Sequence, residues 1–128
     1  AKAAIASLTL VQAAELGRYG ITSNAVAPAA RTRMTEEVFV DMMKKPDSGF
    51  DKMDPANISP LVVWLGSGDS KDVSGRVFEV AGGEISLSDG WRGAATFDRG
   101  ERWKPADVGA AVRDLMGQAP TPLKVYGA

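Results

Sequence analysis

Two strand-like segments separated by a helical one are the feature that most limits the fold of this 128-residue chain. Residues 21–27 carry β-branched and apolar side chains at the density of a buried strand, and so do residues 76–81. Between them, Asp54 and Pro55 supply a cap and a proline at the first helical position, which predicts a helix that ends at Gly66. Strand, helix and strand in this order are typical of a parallel crossover unit.

The sequence also predicts where the other helices and strands begin and end. Pro28 is expected to end the first strand, and Gly82-Gly83 is expected to close the second in a turn. A short helix is predicted over Thr35–Lys44, with Thr35 as its cap, and a last helix over residues 107–116. Trp64 lies in the central helix and is expected to pack in the core.

The predicted first helix begins with the chain and runs to Leu16. Its apolar face is expected to comprise Ile5, Leu8, Val11 or Gln12, and Leu16. It has no initiator methionine, no capping side chain and no capping box. Because unpartnered N–H groups make an unusual helix start, we expect that residues preceding Ala1 have been lost. Two strands are also too few for a stable parallel sheet, which supports the same expectation.

Composition excludes several classes of function. Apolar residues make up 45% of the chain and charged residues 24%, with a formal net charge of −1, so neither nucleic acid nor a membrane is expected as a partner. No apolar run is long enough to span a bilayer. Without cysteine and histidine, the chain lacks disulfides, thiolate metal sites and histidine-dependent triads, and no metal site is predicted. The cysteine-free, weakly acidic composition favours the cytoplasm.

Charged residues cluster between the first strand and the central helix. Basic and acidic side chains alternate there, which predicts an ordinary solvated surface: Arg31, Arg33, Lys44 and Lys45 with Glu36, Glu37 and Asp41. Asp51 and the other carboxylates lack ligand spacing, so structural roles are expected for them.

The segments Ala1-Lys2-Ala3-Ala4-Ile5 and Asn24-Ala25-Val26-Ala27-Pro28 resemble the short-chain dehydrogenase/reductase family. The resemblance covers residues 1–83. It implies a doubly wound, parallel Rossmann-like α/β sheet, of which this chain would supply the C-terminal part: two strands with flanking helices. Residues 1–83 would form this half of a single partial domain, and residues 84–128 an irregular and helical extension.

The resemblance also implies a site. The family uses a Tyr-x-x-x-Lys pair, in which the ammonium lowers the tyrosine pKa and binds ribose hydroxyls of the nicotinamide cofactor. Lys2 is similar to that lysine, and the tyrosine would lie four residues before it. Residues after the first strand would hold the nicotinamide end of NAD or NADP: Pro28, Ala29, Ala30 and Thr32. An ordinary strand-to-loop connection remains an alternative, because this stretch is one residue shorter than the common form.

Pro28–Thr35 and Phe78–Gly83 resemble most the (3R)-hydroxyacyl-CoA dehydrogenase unit of peroxisomal multifunctional enzyme type 2 and its bacterial relatives. This implies a hydroxyacyl-CoA or a hydroxysteroid-like secondary alcohol as the substrate. Met34, Phe39 and Met42 would then belong to a flap over an acyl chain. Met and Phe at helical spacing also occur in cores and interfaces, and that alternative stays open.

The resemblance implies a nicotinamide-dependent oxidoreductase as the parent protein. The chain itself is expected to be inactive and to bind no cofactor, because its sequence lacks the tyrosine and the Gly-rich loop. A homo-oligomer is expected, since the family assembles through its long helix and its last helix–strand pair, and Trp91 and Trp103 are candidates for such an interface. The alternative from another class is a self-associating fragment or interaction module without catalysis.

Overall fold

The computed structural model describes residues 1–88 and 93–120, and it divides into two compact units, Ala1–Gly90 and Trp91–Ala128. The predicted boundary at residue 83 stays a prediction. In chain order, the first unit contains α1 (Lys2–Leu16), β1 (Asn24–Ala29), α2 (Arg33–Val38), α3 (Val40–Met43), α4 (Ser59–Leu65), β2 (Arg76–Ala81) and β3 (Glu84–Ser88). The second unit contains α5 (Pro105–Gln118).

The sheet has the order β1-β2-β3. Strands β1 and β2 are parallel, with Asn24 opposite Arg76 and Ala29 opposite Ala81, and α4 lies between them in the chain. The predicted α/β fold and parallel crossover are therefore confirmed. The bounds predicted for the second strand, 76–81, are also those of β2.

The prediction of only two strands is wrong. Strand β3 pairs antiparallel to β2 through a hairpin at Gly82-Gly83, with Ala81 opposite Glu84. Gly82 has a φ of +58°, and a Cβ there would lie 3.1 Å from the carbonyl oxygen of Lys52. Residues 84–88 alternate polar and apolar side chains, which is the period of a strand. That signal was present in the sequence.

Pro28 does not end β1. It lies within the strand, opposite Val80. Strand β1 is an edge of the described sheet, where a residue without an N–H group costs least. The strand also starts later than predicted, at Asn24 instead of residue 21.

Helix α1 begins at Lys2, and no side chain caps it. Three residues of the apolar face expected for this helix, Ile5, Leu8 and Val11, are half-exposed in this chain. The side of α1 that is shielded from solvent instead carries mainly small residues, with Thr9 buried and Ala13 half-buried. Small side chains let the helix come close to its neighbours: a Cβ on Gly75 would lie 3.3 Å from that of Ala13.

The helix predicted over Thr35–Lys44 is two helices, α2 and α3. Thr32, and not Thr35, is the N-cap; Thr35 completes a capping box three residues later. The helix is interrupted at Phe39, whose φ of −125° and ψ of 55° are not helical. The periodicity of the apolar residues continues through Phe39, so the sequence does not reveal the break.

The core of the first unit lies between α4 and the sheet. The buried residues Leu61, Phe78 and Val80 pack with Val26, Ile58, Leu65 and Val73. As predicted, Asp54 begins the central helical segment by accepting a hydrogen bond from the Ala56 amide at 2.9 Å. Trp64 is 42% exposed, so its prediction as a core residue is wrong: α4 turns this side chain toward solvent.

In the second unit, α5 begins at Pro105 and extends the predicted helix by two residues at each end. The rings of Phe97 and Trp103 lie 5.8 Å apart, and the guanidinium of Arg99 lies 5.6 Å from the Trp103 ring centre. Arg99 also pairs with Asp107 at 2.5 Å. Trp91, the other predicted interface tryptophan, lies outside the described residues.

Candidate functional site

The carboxyl ends of β1 and β2 meet at one edge of the sheet, because Ala29 stands opposite Ala81 in the parallel register. In open α/β sheets, ligands bind in the crevice outside this edge. The chain leaves β1 there through residues 30–32 and enters α2. The predicted cofactor segment therefore lies where such a fold places a ligand.

Four of the five predicted cofactor residues, all except Lys2, lie on one continuous segment at the end of β1. Pro28 and Ala29 are the last two residues of β1, and Ala30 follows them directly. The carbonyl of Ala30 accepts a hydrogen bond from Thr35 Oγ1 at 3.2 Å. The side chains of Ala29 and Ala30 are single methyl groups.

The Thr32 hydroxyl is part of the cap of α2. Its Oγ1 accepts from the Thr35 amide at 3.2 Å and lies 3.1 Å from Thr35 Oγ1. The Thr35 hydroxyl can direct its own proton to Ala30. In that arrangement the Thr32 hydroxyl still has a proton to donate, so a role in the cap and a role toward a ligand are compatible.

Lys2, the fifth predicted residue, lies in the first turn of α1 and is exposed. Within the described residues, no hydrogen bond or ion pair joins its side chain to residues 28–32. The structure thus does not bring Lys2 into direct contact with the rest of the predicted site.

The three residues predicted to contact substrate are exposed. Met34 in α2 is 80% exposed, Phe39 at the break is 51% exposed, and Met42 in α3 is 62% exposed. The next residue, Met43, is buried. We call residues 33–43, which contain α2 and α3, the flap; they present large apolar side chains to solvent beside the predicted cofactor segment.

An ion pair that the sequence did not reveal joins the segment after β1 to the loop that contains Asp51. Arg31 donates from Nη1 to Asp51 Oδ2 at 2.9 Å and from Nη2 to Asp51 Oδ1 at 2.7 Å. The two side chains are only 15% and 13% exposed. The prediction of a solvated Arg31 is therefore wrong, because its partner lies twenty residues away and no periodicity links them. We call this pair the Arg31–Asp51 bridge.

The bridge shifts the pKa values of both partners. The guanidinium hydrogen bonds lower the pKa of Asp51 below its ordinary value, aided by the Met53 amide, and burial opposes this in part. The same hydrogen bonds raise the pKa of Arg31, again against the effect of burial. The bridge is thus charged on both sides at neutral pH.

One cavity adjoins the bridge, and a second lies at residues that neighbour Asp51 in the sequence. One, of about 520 Å³, is lined by Arg31 and by flap residues that include Val40 and Met43. The other, of about 390 Å³, lies between the Phe50–Met53 loop and the β2–β3 turn. Each is within the size range of small-molecule sites.

The residues present fit one end of a dinucleotide. Backbone groups of Ala29 and Ala30 and the Thr32 hydroxyl are donors and acceptors of the kind that suit a carboxamide and a ribose. For the pyrophosphate, the sequence contains no G-x-G-x-x-G loop. Among residues 1–88 and 93–120, no three acidic side chains cluster as metal ligands would, and no helix is both long and apolar enough to cross a membrane.

Known proteins resemble the chain over most of its length. The family model described as enoyl-(acyl carrier protein) reductase matches residues 1–84. The hydroxyacyl-CoA dehydrogenase ChsB1 of Mycobacterium tuberculosis is 36% identical over 117 residues, which are 91% of this chain and 37% of that protein. The (3R)-3-hydroxyacyl-CoA dehydrogenase of Homo sapiens is 37% identical over 86 residues, 64% of this chain and 33% of that protein.

A solved structure agrees with these sequences. The crystal structure of a short chain dehydrogenase from Mycobacterium avium superimposes with a TM-score of 0.72 at 49% identity, covering 99% of this chain and 39% of that chain. The chain thus spans between a third and two fifths of the length of these three relatives. By its family match and its fold, the chain belongs to the short-chain dehydrogenase/reductase family.

Proposed function

We propose that these residues serve a nicotinamide-dependent dehydrogenase that oxidises the secondary alcohol of a hydroxyacyl-CoA thioester or a hydroxysteroid-like lipid. The observation that carries the proposal is the 36% identity to a hydroxyacyl-CoA dehydrogenase across 91% of the chain. The exposed apolar flap beside the sheet edge supports a substrate with an acyl or ring system.

Each residue has a defined part in this proposal. A nicotinamide cofactor, when bound, would supply the acceptor for the hydride of the alcohol carbon. Lys2 would hold ribose hydroxyls and favour the ionised form of the family tyrosine, which is not among these 128 residues. The tyrosinate would take the hydroxyl proton. The backbone of Ala29 and Ala30 and the Thr32 hydroxyl would orient the carboxamide. Met34, Phe39 and Met42 would cover the apolar part of the substrate and exclude water.

The 128 residues alone are proposed to be inactive and to leave NAD unbound. They include neither a tyrosine four positions before Lys2 nor a Gly-rich phosphate loop. Added NAD should therefore leave the melting temperature unchanged, since a ligand stabilises only a state that it binds. A rise in melting temperature with NAD concentration would refute this part of the proposal.

The activity itself can be tested in a hybrid protein. The part of the Mycobacterium avium dehydrogenase that this chain does not match would precede Ala1, which the 49% identity makes practicable. We expect the hybrid to reduce NAD or NADP with a (3R)-hydroxyacyl-CoA and not with the (3S) isomer. A hybrid that folds and binds the cofactor but oxidises neither the thioester nor a hydroxysteroid would contradict the proposal.

A homo-oligomer is proposed on the half-exposed side of α1. Ile5, Leu8 and Val11 line this side, where a second copy could cover them. Self-association without catalysis is the second candidate function, supported by the same side chains and by the open edge of β1. A compact monomer in sedimentation at low concentration would count against both forms of association. The cytoplasmic location stays a prediction.

A further inference from the structure

We propose that Arg31 is a positioning residue, which holds the cofactor-facing end of β1 and the flap in one arrangement through Asp51 and the Met43 carbonyl. The effect on catalysis rests on the proposed function, since it assumes that residues 29–32 face a nicotinamide. The structural part is that the Arg31 side chain connects the segment after β1, the end of α3 and the loop that contains Asp51.

The first step is the geometry around Arg31. Its amide donates to the carbonyl of Met53 at 2.7 Å, and its Nε donates to the carbonyl of Met43 at 2.5 Å. The two terminal nitrogens bind Asp51 as a fork. Four hydrogen bonds from one residue therefore tie the exit of β1 to the end of α3 and to the 51–53 loop.

The second step is the position of these segments relative to the proposed site. Arg31 stands between Ala30 and Thr32, two of the residues assigned to the nicotinamide end. Met43 follows Met42, whose exposed side chain is assigned to the substrate. A displacement of the Arg31 guanidinium would therefore move the nicotinamide-end residues and Met42 together, because the same side chain holds both segments.

The third step is the chemistry that only arginine provides here. A guanidinium can bind both carboxylate oxygens and still donate from Nε to a carbonyl, whereas an ammonium is a point charge without this fork. Both partners are largely shielded from water, which strengthens the ion pair relative to a surface pair. Lysine at position 31 would keep the positive charge but could not bind both Asp51 oxygens and the Met43 carbonyl at the same time.

Other charges also act on the bridge. Lys45 lies near Asp51 and lowers its pKa further, while Glu36 and Asp54 add to the raised pKa of Arg31. Protonation of Asp51 would remove the carboxylate from the fork. The flap should then loosen as the pH falls through the folded pKa of Asp51, while the core remains folded.

Amide hydrogen exchange on the 128-residue chain tests the proposal. The variants are Arg31→Met, Arg31→Lys and Asp51→Asn. The matched control is Arg33→Lys, an exposed arginine two residues away that makes no ion pair with the part of the chain that the structure describes. The probes are the amides of Arg31 and of residues 43 and 53, compared with those of β2 in the core.

We expect Arg31→Met and Asp51→Asn to lower protection at the probe amides by about tenfold or more. The β2 amides, which report the stability of the whole unit, should lose clearly less protection, about threefold at most. Arg31→Lys should fall between wild type and Arg31→Met, and Arg33→Lys should match wild type. In wild type, protection of the probes should fall with decreasing pH, and in Asp51→Asn this pH dependence should be absent.

Two results would overturn the proposal. If the β2 amides lose as much protection as the probe amides, Arg31 supports the whole fold. If the probe amides keep their protection, the bridge does not hold these segments in place. If Arg31→Met fails to fold, Arg31→Lys and Asp51→Asn carry the same test. No cofactor is needed, so failure here leaves the hybrid's activity test untouched, and an inactive hybrid leaves the exchange result standing.

Discussion

The side chain of Asn24 is bonded to the backbone of Val73 across the gap between β1 and the turn that leads into β2. Its Nδ2 donates to the Val73 carbonyl at 2.8 Å, and its Oδ1 accepts from the Arg76 amide at 3.1 Å. A neighbouring pair of bonds runs between Ser23 and residues 74 and 75. These contacts fix where the parallel pairing of β1 and β2 begins.

Asn24→Ala should destabilise the first unit, because the Val73 carbonyl and the Arg76 amide both lose their partner. We expect a loss of about 1–3 kcal/mol in the free energy of unfolding, measured by urea denaturation. Asn24→Asp is the informative comparison: it keeps the acceptor for Arg76 and loses the donor to Val73. Stability equal to wild type in Asn24→Ala would mean that water replaces both bonds at no cost.

Gly82→Ala should also destabilise the protein. Gly82 has a φ of +58°, and the added Cβ would lie 3.1 Å from the carbonyl oxygen of Lys52, a backbone atom. The left-handed conformation alone costs a non-glycine residue about 1–2 kcal/mol, and the close approach adds to it. Gly17→Ala is the control, since Gly17 has a negative φ and nothing within 4 Å of its Cβ position. A harmless Gly82→Ala would show that the β2–β3 turn relaxes freely.

The bounds of β2 and the start of the central helical segment could be read from the sequence because their signals are local. The β-branched residues of β2 gave its bounds, and the Asp54-Pro55 pair gave the start of the central helical segment. These features depend on neighbouring residues only.

The features that the sequence did not reveal depend on contacts between distant residues. Arg31 and Asp51 are each surrounded by other charges in the chain, so nothing marks them as partners. The apolar pattern of α1 does not show which side is covered: Thr9 is buried, whereas Ile5 and Leu8 are half-exposed. Which face is covered is decided by the neighbouring element and not by hydrophobicity alone.

Acid should destabilise the chain through the Arg31–Asp51 bridge. Because the folded pKa of Asp51 lies below its ordinary value, its contribution to stability is complete above the unfolded pKa of about 3.9 and is lost as the pH falls through the lower, folded pKa. We expect Asp51→Asn to be less stable than wild type at neutral pH and to approach it at the acid end. Parallel stability profiles for the two proteins would contradict the assignment of this loss to Asp51.

The most direct test of the central assignment is the effect of Lys2→Met on the hybrid with the Mycobacterium avium dehydrogenase. The measurement is NAD reduction during oxidation of a (3R)-hydroxyacyl-CoA, with Lys71→Met as a control at another lysine outside the site. If Lys2 supports the tyrosine and binds ribose, its loss should lower kcat/KM by about 100-fold or more, and the control should leave it unchanged. Full activity in Lys2→Met would contradict the account.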